Sequence, residues 1–178
     1  MPPAPPHPAL PRLTLVLGGA RSGKSRHAEA LVTVTAPPWI YVATAQAFDD
    51  EMAERIAHHK ARRAEGWQTL ETTQDLAGLI RERAEQPAPM LIDCLTLWLS
   101  NVMLADRDVP AACAELIDAL RTARGPIVAV SNEVGLGIVP DNALARAFRD
   151  AQGRLNQDVA ALADRVILMA AGLPLTLK

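Results

Sequence analysis

Short apolar runs alternate along this chain with longer stretches in which apolar residues recur at helical spacing. The short runs predict buried strands, and the longer stretches predict helices with one apolar face. These apolar runs cover residues 13–17, 39–43, 90–93, 127–131 and 165–170, and the mixed segment 67–71 is interpreted as a further short strand. The predicted helices cover residues 24–34, 49–64, 75–85, 95–104, 110–124 and 143–163. This alternation predicts an α/β fold with a mainly parallel sheet and helices on both faces.

Composition predicts one folded unit behind a short leader. The chain has 178 residues, of which 49% are hydrophobic but only 3% aromatic, so aliphatic side chains must fill its core. Six of the 14 prolines fall within the first 11 residues, which predicts an extended, disordered leader over residues 1–11. Residues 12–178 are therefore expected to form a single domain.

Charge and cysteine content disfavour several classes of protein. The 18 basic and 20 acidic side chains give a net charge of −2, which argues against a nucleic-acid partner. Two cysteines cannot form a disulfide framework, and they fit a reducing cytoplasm. Because no run approaches the roughly 18 apolar residues of a membrane helix, no membrane span is expected.

The most specific motif directly follows the first predicted strand and matches G-x-x-x-x-G-K-[ST] in full. Glycines in such a loop let backbone N–H groups turn toward phosphate oxygens, and the helix that follows adds partial positive charge. Lys24 is expected to reach the β- and γ-phosphates and Ser25 to ligate Mg²⁺. The alternative is a chance glycine-rich turn, which the strand-loop-helix context disfavours. The predicted triphosphate-binding residues are Gly18, Gly19, Ala20, Arg21, Ser22, Gly23, Lys24 and Ser25.

Asp93 is the candidate for a second metal group. It ends the apolar run 90–93, where a carboxylate emerges at the phosphate end of a parallel sheet and can hold Mg²⁺ through water. The alternative is that it caps the helix predicted from residue 95. The phosphate loop favours the metal role.

The predicted helix 49–64 carries a second candidate site. At helical spacing Glu51, Arg55, His58 and Arg62 share one face, so an imidazole lies between two guanidinium groups. A surface helix with salt bridges has the same pattern. The other interpretation is that this face closes over a triphosphate, with Arg62 offsetting phosphate charge and His58 acting as nucleophile or acid/base.

Together these motifs resemble one family, the bifunctional adenosylcobinamide kinase / adenosylcobinamide-phosphate guanylyltransferases of cobalamin biosynthesis. The phosphate loop by itself occurs in many enzymes, whereas the histidine helix combined with the loop at 132–140 is specific to this family. The matching strings are GGARSGKSRHAEAL from residue 18, YVATAQAFDDEMAERIAHHKARR from 41, W-x-T-x-E from 67, LIDCLTLWLSN from 91 and SNEVGLGIVPDNALARAFRDAQGRLNQ from 131.

The resemblance implies a P-loop NTPase-like fold and two successive reactions. Members phosphorylate adenosylcobinamide with ATP or GTP, then transfer GMP from GTP to the new phosphate, which gives adenosylcobinamide-GDP and pyrophosphate. The guanylyl group is carried on a histidine that matches His58. The family also forms homotrimers with sites near subunit boundaries, so a homotrimer is expected here.

The resemblance also extends the expected nucleotide site. Asp93 stands where some members have Glu, which keeps a metal ligand of shorter reach, and Ala45 stands where some have Ser. The glycine-containing loop 132–140 is either a simple turn or a contact for phosphate or corrinoid, with no residue assigned. The further nucleotide-binding residues implied are Ala43, Thr44, Ala45, His59, Lys60, Ala61, Arg62, Glu71 and Asp93.

Two other functions remain open at this point. One is a P-loop kinase of another small metabolite, with His58 as a bystander. The other is a non-catalytic GTP-dependent switch, which is disfavoured because the sequence contains no Asn-Lys-x-Asp motif of the signalling GTPases.

Overall fold

The computed structural model describes residues 10–45, 65–83, 85–86 and 88–178. Most of the predicted leader and the predicted helix 49–64 lie outside these ranges. The strands are β1 (Leu13–Gly18), β2 (Trp39–Ala43), β3 (Trp67–Glu71), β4 (Met90–Asp93), β5 (Ile127–Asn132), β6 (Arg165–Ala170) and β7 (Leu173–Thr176). The helices are α1 (Lys24–Thr33), α2 (Leu76–Glu82), α3 (Leu95–Leu104), α4 (Val109–Thr122) and α5 (Ala143–Leu162).

The described strands form one sheet in the order β3-β2-β4-β5-β1-β6-β7. Every neighbouring pair is parallel except β6 and β7, which are antiparallel. The prediction of a mainly parallel sheet is therefore confirmed. Because β1 lies between β5 and β6, the loop that follows β1 is surrounded by the carboxyl ends of two other strands, where ligands of such sheets bind.

The sheet is covered on both faces, as predicted. One face packs against α1 through residues such as Val16 and Val32, which are fully buried. The other face packs against α2, α3, α4 and α5 through residues such as Leu15, Leu99 and Leu116. Alternate residues of β1 thus enter two different apolar clusters, which holds this strand from both sides.

Capping side chains fix where three of the helices begin. Asp75, Asp108 and Asn142 each accept a hydrogen bond from the backbone N–H three residues later. Asp108 places the start of α4 at Val109, slightly before the predicted start. α2 ends at Glu82 and α4 at Thr122, three and two residues before the predicted ends.

The antiparallel strand β7 was missed by the sequence analysis. Its four residues, Leu-Pro-Leu-Thr, are all exposed, and Pro174 breaks the usual strand pattern. Proline is tolerated there because β7 is an edge strand with one side unpaired. None of the helices in the described ranges is both long enough and apolar enough to cross a membrane.

Candidate nucleotide-binding site

The phosphate loop leaves the buried end of β1 and turns directly into α1. Gly18 has a φ of 154°, and a Cβ placed there would lie 2.6 Å from both the Met169 carbonyl oxygen and the Ser22 Oγ. Gly23 caps α1 in the left-handed region with a φ of 95°. Both positions therefore require glycine, since a side chain would clash at the first and strain the backbone at the second. The first turn of α1 points its N–H groups toward the site.

Backbone hydrogen bonds from two distant segments brace this loop. The Glu133 N–H, just after β5, donates to the Gly18 carbonyl oxygen at 3.1 Å. The Gly172 N–H, in the turn between β6 and β7, donates to the Ser22 carbonyl oxygen at 3.1 Å. The loop is thus held in shape by the sheet around it, which lowers the entropy lost when a phosphate binds.

Lys24 is the buried cation of the loop. Its side chain is folded back so that Nζ donates to the Gly19 carbonyl oxygen at 2.6 Å, and the residue is only 8% exposed. Burial lowers the pKa of Lys24, and the negative charge of Asp93 opposes that shift. Burial also raises the pKa of the neighbouring Cys94 thiol to about 11, so this thiol is uncharged at neutral pH. Phosphate oxygens would replace the neutral Gly19 carbonyl as the partner of Nζ. Because they are negatively charged, they would stabilise the protonated form of Lys24 more than the carbonyl does.

A cavity of about 810 Å³ opens above the loop. It brings together most of the predicted phosphate-binding residues, from Ala20 to Ser25, with Arg26. The other lining residues are Asn132, Ala171 and Gly172. Asn132 is the first residue of the loop 132–140, for which the sequence analysis left a phosphate contact open without assigning a residue. Arg26, Ala171 and Gly172 were missed, and the last two belong to the turn before β7, which had no signal.

Asp93 lies on the same edge of the sheet, two strands from β1. The Tyr41 hydroxyl donates to Asp93 Oδ2 at 3.0 Å, which orients the carboxylate and leaves Oδ1 for another partner. Strands are spaced by about 4.8 Å, so Asp93 stands roughly 10 Å from the β1 axis. That separation suits a metal ion bridged to the carboxylate by water. Among the described residues, no three His, Cys, Asp or Glu side chains are grouped as a metal site.

The second strand supplies the segment from Ala43 to Ala45. Thr44 is fully buried, and its hydroxyl both donates to the Cys94 carbonyl oxygen at 2.7 Å and accepts from the Cys94 N–H at 2.8 Å. Asn101 Nδ2 donates to the Thr44 carbonyl oxygen at 2.8 Å. The Thr44 hydroxyl is therefore engaged in joining β2 to β4, and any nucleotide contact in this segment falls to its neighbours or to backbone.

Glu71 is aligned with Ala43 and Asp93 across the sheet edge, since Ala43 pairs in register with both. It ends β3, four strands from β1, or roughly 19 Å at the usual strand spacing. Glu71 and Lys24 consequently do not share a phosphate. The predicted residues His58, His59, Lys60, Ala61 and Arg62 lie outside the described residues.

A phosphate loop between a buried parallel strand and a helix, with a carboxylate two strands away, defines the P-loop NTPase class of α/β proteins. The same fold occurs in the solved structure of an ATPase from the type III secretion system of pathogenic bacteria. The TM-score is 0.56 at 14% identity, over 94% of this chain and 57% of that one. At this identity the similarity concerns the fold.

Sequence comparison identifies the family within that class. Residues 14–177 match the family model described as cobinamide kinase / cobinamide phosphate guanyltransferase, and the chain belongs to this family. It is 47% identical to the bifunctional adenosylcobalamin biosynthesis protein CobP of Pseudomonas aeruginosa over 92% of this chain and 96% of that protein. It is 42% identical to the bifunctional adenosylcobalamin biosynthesis protein CobU of Salmonella typhimurium over 93% of this chain and 99% of that protein.

Proposed function

We propose that this protein phosphorylates adenosylcobinamide with ATP or GTP and then transfers GMP from GTP to adenosylcobinamide phosphate. The products of the second reaction are adenosylcobinamide-GDP and pyrophosphate. The observation that carries the proposal is the match of residues 14–177 to a family defined by both activities. The braced phosphate loop supports it, because both reactions consume a nucleoside triphosphate.

In the kinase reaction the triphosphate lies in the cavity above the phosphate loop. The acceptor hydroxyl attacks the γ-phosphorus, the new O–P bond forms, and the bond from the γ-phosphorus to the β-bridging oxygen breaks. Lys24 and the N–H groups at the start of α1 offset the charge on the β- and γ-phosphates as this happens. The described residues include no assigned base for the acceptor hydroxyl.

Magnesium is the metal that this site fits. The donors available are the hydroxyl of Ser25 and the free oxygen of Asp93, which are hard oxygen ligands, and Mg²⁺ is usually held by one or two such groups together with phosphates and water. When bound, Mg²⁺ would supply positive charge to the phosphates.

In the guanylyl reaction we assign His58 as the nucleophile. Its neutral imidazole attacks the α-phosphorus of GTP, a P–N bond forms, and pyrophosphate leaves. The phosphate of adenosylcobinamide phosphate then attacks the same phosphorus, which breaks the P–N bond and regenerates the imidazole. Arg62 offsets phosphate charge in both steps, and residues 59–61 contact GTP. The sequence strings around residues 41–63 support this assignment.

We further propose that the protein acts as a cytoplasmic homotrimer. Two free cysteines, Cys94 and Cys113, fit a reducing compartment. Size-exclusion chromatography with light scattering tests the trimer directly. A monomer with both activities would overturn that part of the proposal.

Labelled GTP tests the two reactions separately. The protein is incubated with GTP labelled at the α-phosphate and is then denatured, and in a parallel assay GTP labelled at the γ-phosphate is supplied together with adenosylcobinamide. We expect α-label in an acid-labile, alkali-stable bond, lost in His58→Ala and retained in the matched control His59→Ala. The γ-label is expected on adenosylcobinamide and absent from the protein.

Three outcomes would count against the proposal. Absence of α-label on the wild type would remove the guanylyl intermediate and leave a kinase. Label that persists in His58→Ala would mean that another residue is the nucleophile. Transfer of γ-label to other metabolites, with none to adenosylcobinamide, would indicate a different P-loop kinase.

A further inference from the structure

Asn132 occupies the point of the sheet edge between the phosphate loop and the metal carboxylate. Its strand, β5, lies between β1 and β4 in the sheet. Asn132 pairs in register with Gly18, the first residue of the phosphate loop, while Asp93 pairs with Val130 of the same strand. Asn132 therefore lies beside the loop and two residues further along β5 than the residue paired with Asp93. It also lines the cavity above Lys24.

The backbone of Asn132 is fixed on both sides by buried side chains. Its N–H donates to Thr96 Oγ1 at 2.8 Å, and its carbonyl oxygen accepts from Asn156 Nδ2 at 3.0 Å. Thr96 and Asn156 are each 6% exposed. Few water molecules can compete at such positions, so these two bonds determine where the strand end points.

A buried polar network behind the strand fixes the orientation of Asn156. Ser131 Oγ donates to Asn156 Oδ1 at 2.6 Å, and Gln152 Nε2 donates to the same Oδ1 at 2.9 Å and to Ser131 Oγ at 2.9 Å. Because Oδ1 accepts twice, the Nδ2 group of Asn156 is left to donate to Asn132. Ser131 and Gln152 are completely buried. Apolar side chains would fill this space without the desolvation penalty, so the network favours a defined geometry over stability.

The carboxamide of Asn132 is not used by this network. Within the described ranges no hydrogen bond involves its side chain, although its backbone N–H and carbonyl are both engaged. A neutral amide on a fixed stretch of backbone at a phosphate cavity can donate to a phosphate oxygen without repelling it. Donors whose position is set by the surrounding structure contribute as charge develops in a transition state.

We propose that the Asn132 carboxamide donates to the γ-phosphate of the bound nucleoside triphosphate, and that Thr96, Ser131, Gln152 and Asn156 are its positioning residues. The inference rests on the proposed function, because it requires a triphosphate in the cavity. It assigns Asn132 to recognition of the terminal phosphate, whereas Lys24 also contacts the β-phosphate. A diphosphate therefore loses the Asn132 contact and keeps the rest of the loop.

Nucleotide binding by Asn132→Ala tests the contact. Affinities are measured by calorimetry for GDP and for guanylyl imidodiphosphate, a GTP analogue with nitrogen between the β- and γ-phosphorus atoms. We expect the analogue to bind about 10- to 100-fold more weakly to the variant, as for loss of a hydrogen bond to a charged group, and GDP to bind within about twofold of wild type. The kinase kcat is expected to fall on the order of 10²-fold.

The matched control is Asn142→Ala. Asn142 follows the same loop and caps α5 by accepting from the Ala145 N–H at 2.7 Å, so its loss lowers stability. We expect it to leave both nucleotide affinities unchanged. Equal weakening of GDP and the analogue by Asn132→Ala would overturn the proposal, as would unchanged affinity for the analogue.

A pair of substitutions at Thr96 tests the positioning residues and serves if Asn132→Ala does not fold. Thr96→Val keeps the shape but removes the acceptor for the Asn132 N–H, whereas Thr96→Ser keeps it. We expect Thr96→Val to lose several-fold of the preference for the triphosphate analogue over GDP and Thr96→Ser to retain it. Equal preferences in the two variants would overturn the positioning role.

Two other results would count against the proposed function. A wild-type protein that binds neither nucleotide would contradict the proposed function itself. Absence of α-label on a wild-type protein that still prefers the triphosphate analogue would contradict only the guanylyl reaction.

Discussion

Two cavities of nearly equal volume lie in the described part of the chain, and they differ in the chemistry of the residues that line them. The phosphate cavity measures about 810 Å³, and a second cavity, here called the helix groove, measures about 850 Å³ between α4 and α5. The groove is lined by apolar side chains such as Ile117 and Leu155, with Arg121 beside them. The phosphate cavity is lined by a constrained backbone turn, the buried Lys24, and Asn132, whose backbone is held by two hydrogen bonds.

The comparison shows that volume does not identify the functional site. The phosphate cavity lies at the carboxyl edge of the parallel strands, where several segments present N–H groups and polar side chains to one point. The helix groove lies between α4 and α5, away from the carboxyl edge of the sheet, and Cys113 is one of its lining residues. Burial raises the pKa of the Cys113 thiol to about 11, so it is a neutral, poorly nucleophilic group at pH 7. Substitutions in the two cavities should therefore change different measurements.

The largest effect is expected for Lys24→Ala. In the proposed mechanism both reactions use phosphates that Lys24 binds, so kcat/KM for each should fall on the order of 10³-fold. Initial rates with radiolabelled GTP measure this. Arg121→Ala, which removes a cation from the helix groove, is the matched control and should leave both rates unchanged. Similar losses in the two variants would abolish the distinction between the cavities.

Leu155→Ala is expected to lower the stability of the protein and to leave the rates of both reactions unchanged. Leu155 is 1% exposed and lines the helix groove, so its truncation should lower the free energy of unfolding by about 2–5 kcal/mol. Urea denaturation followed by circular dichroism measures this loss. Steady-state rates per folded molecule should stay at the wild-type level. A rise in the KM for GTP with little loss of stability would show that the groove takes part in catalysis.

Tyr41→Phe should produce a smaller change, confined to the phosphate edge. The substitution removes the hydroxyl that donates to Asp93 but preserves the ring that packs edge-on to Trp67 at 5.9 Å. Loss of an outer partner of a metal ligand weakens metal binding by about 10- to 100-fold. Activity titrated with Mg²⁺ should show this shift with saturating rates largely retained. An unchanged Mg²⁺ dependence would contradict the metal role of Asp93.

The smallest effect is expected for the pH dependence of protein stability that is caused by Cys113 in the helix groove. Burial raises the pKa of Cys113 to about 11 in the folded chain, from the value of 9.0 for a solvent-exposed thiol. The folded state therefore holds this proton more tightly, so its stabilising contribution is complete below pH 9 and is lost as the pH rises toward 11. Denaturation at pH 7, 9 and 10.5 should show a steeper decline for wild type than for Cys113→Ala. Parallel declines would contradict the assignment.

Much of the fold was predictable because its signals are local. The strands β2, β3, β4 and β6 were predicted with the bounds observed. β2, β4 and β6 are short runs of mainly apolar residues, whereas β3 is a mixed segment that follows a glycine. The phosphate loop was predictable because its motif lies within eight consecutive residues. The order of the strands is not local, and it alone brings Tyr41 to Asp93 and Asn132 to Gly18. No single-sequence pattern contains that information.

Exposure explains the other misses. β7 has no buried side chain and contains Pro174, so neither periodicity nor composition distinguishes it from a loop. The turn before it, at Ala171 and Gly172, completes the wall of the phosphate cavity and was missed with it. The histidine helix, predicted from its spacing and from the family resemblance, stays a prediction.

The braces on the phosphate loop also determine when it can form during synthesis. The loop is made early, yet hydrogen bonds that brace it come from Glu133 and Gly172, and within the described sheet β1 pairs with β5 and β6. The residues in contact are far apart in sequence, so joining them costs chain entropy. We therefore expect these contacts to form late in folding. While β6 and the turn that follows it are still inside the ribosome, the nascent chain contains the phosphate-loop motif but cannot form the folded binding site. Nucleotide binding on stalled nascent chains would thus report completion of the central sheet.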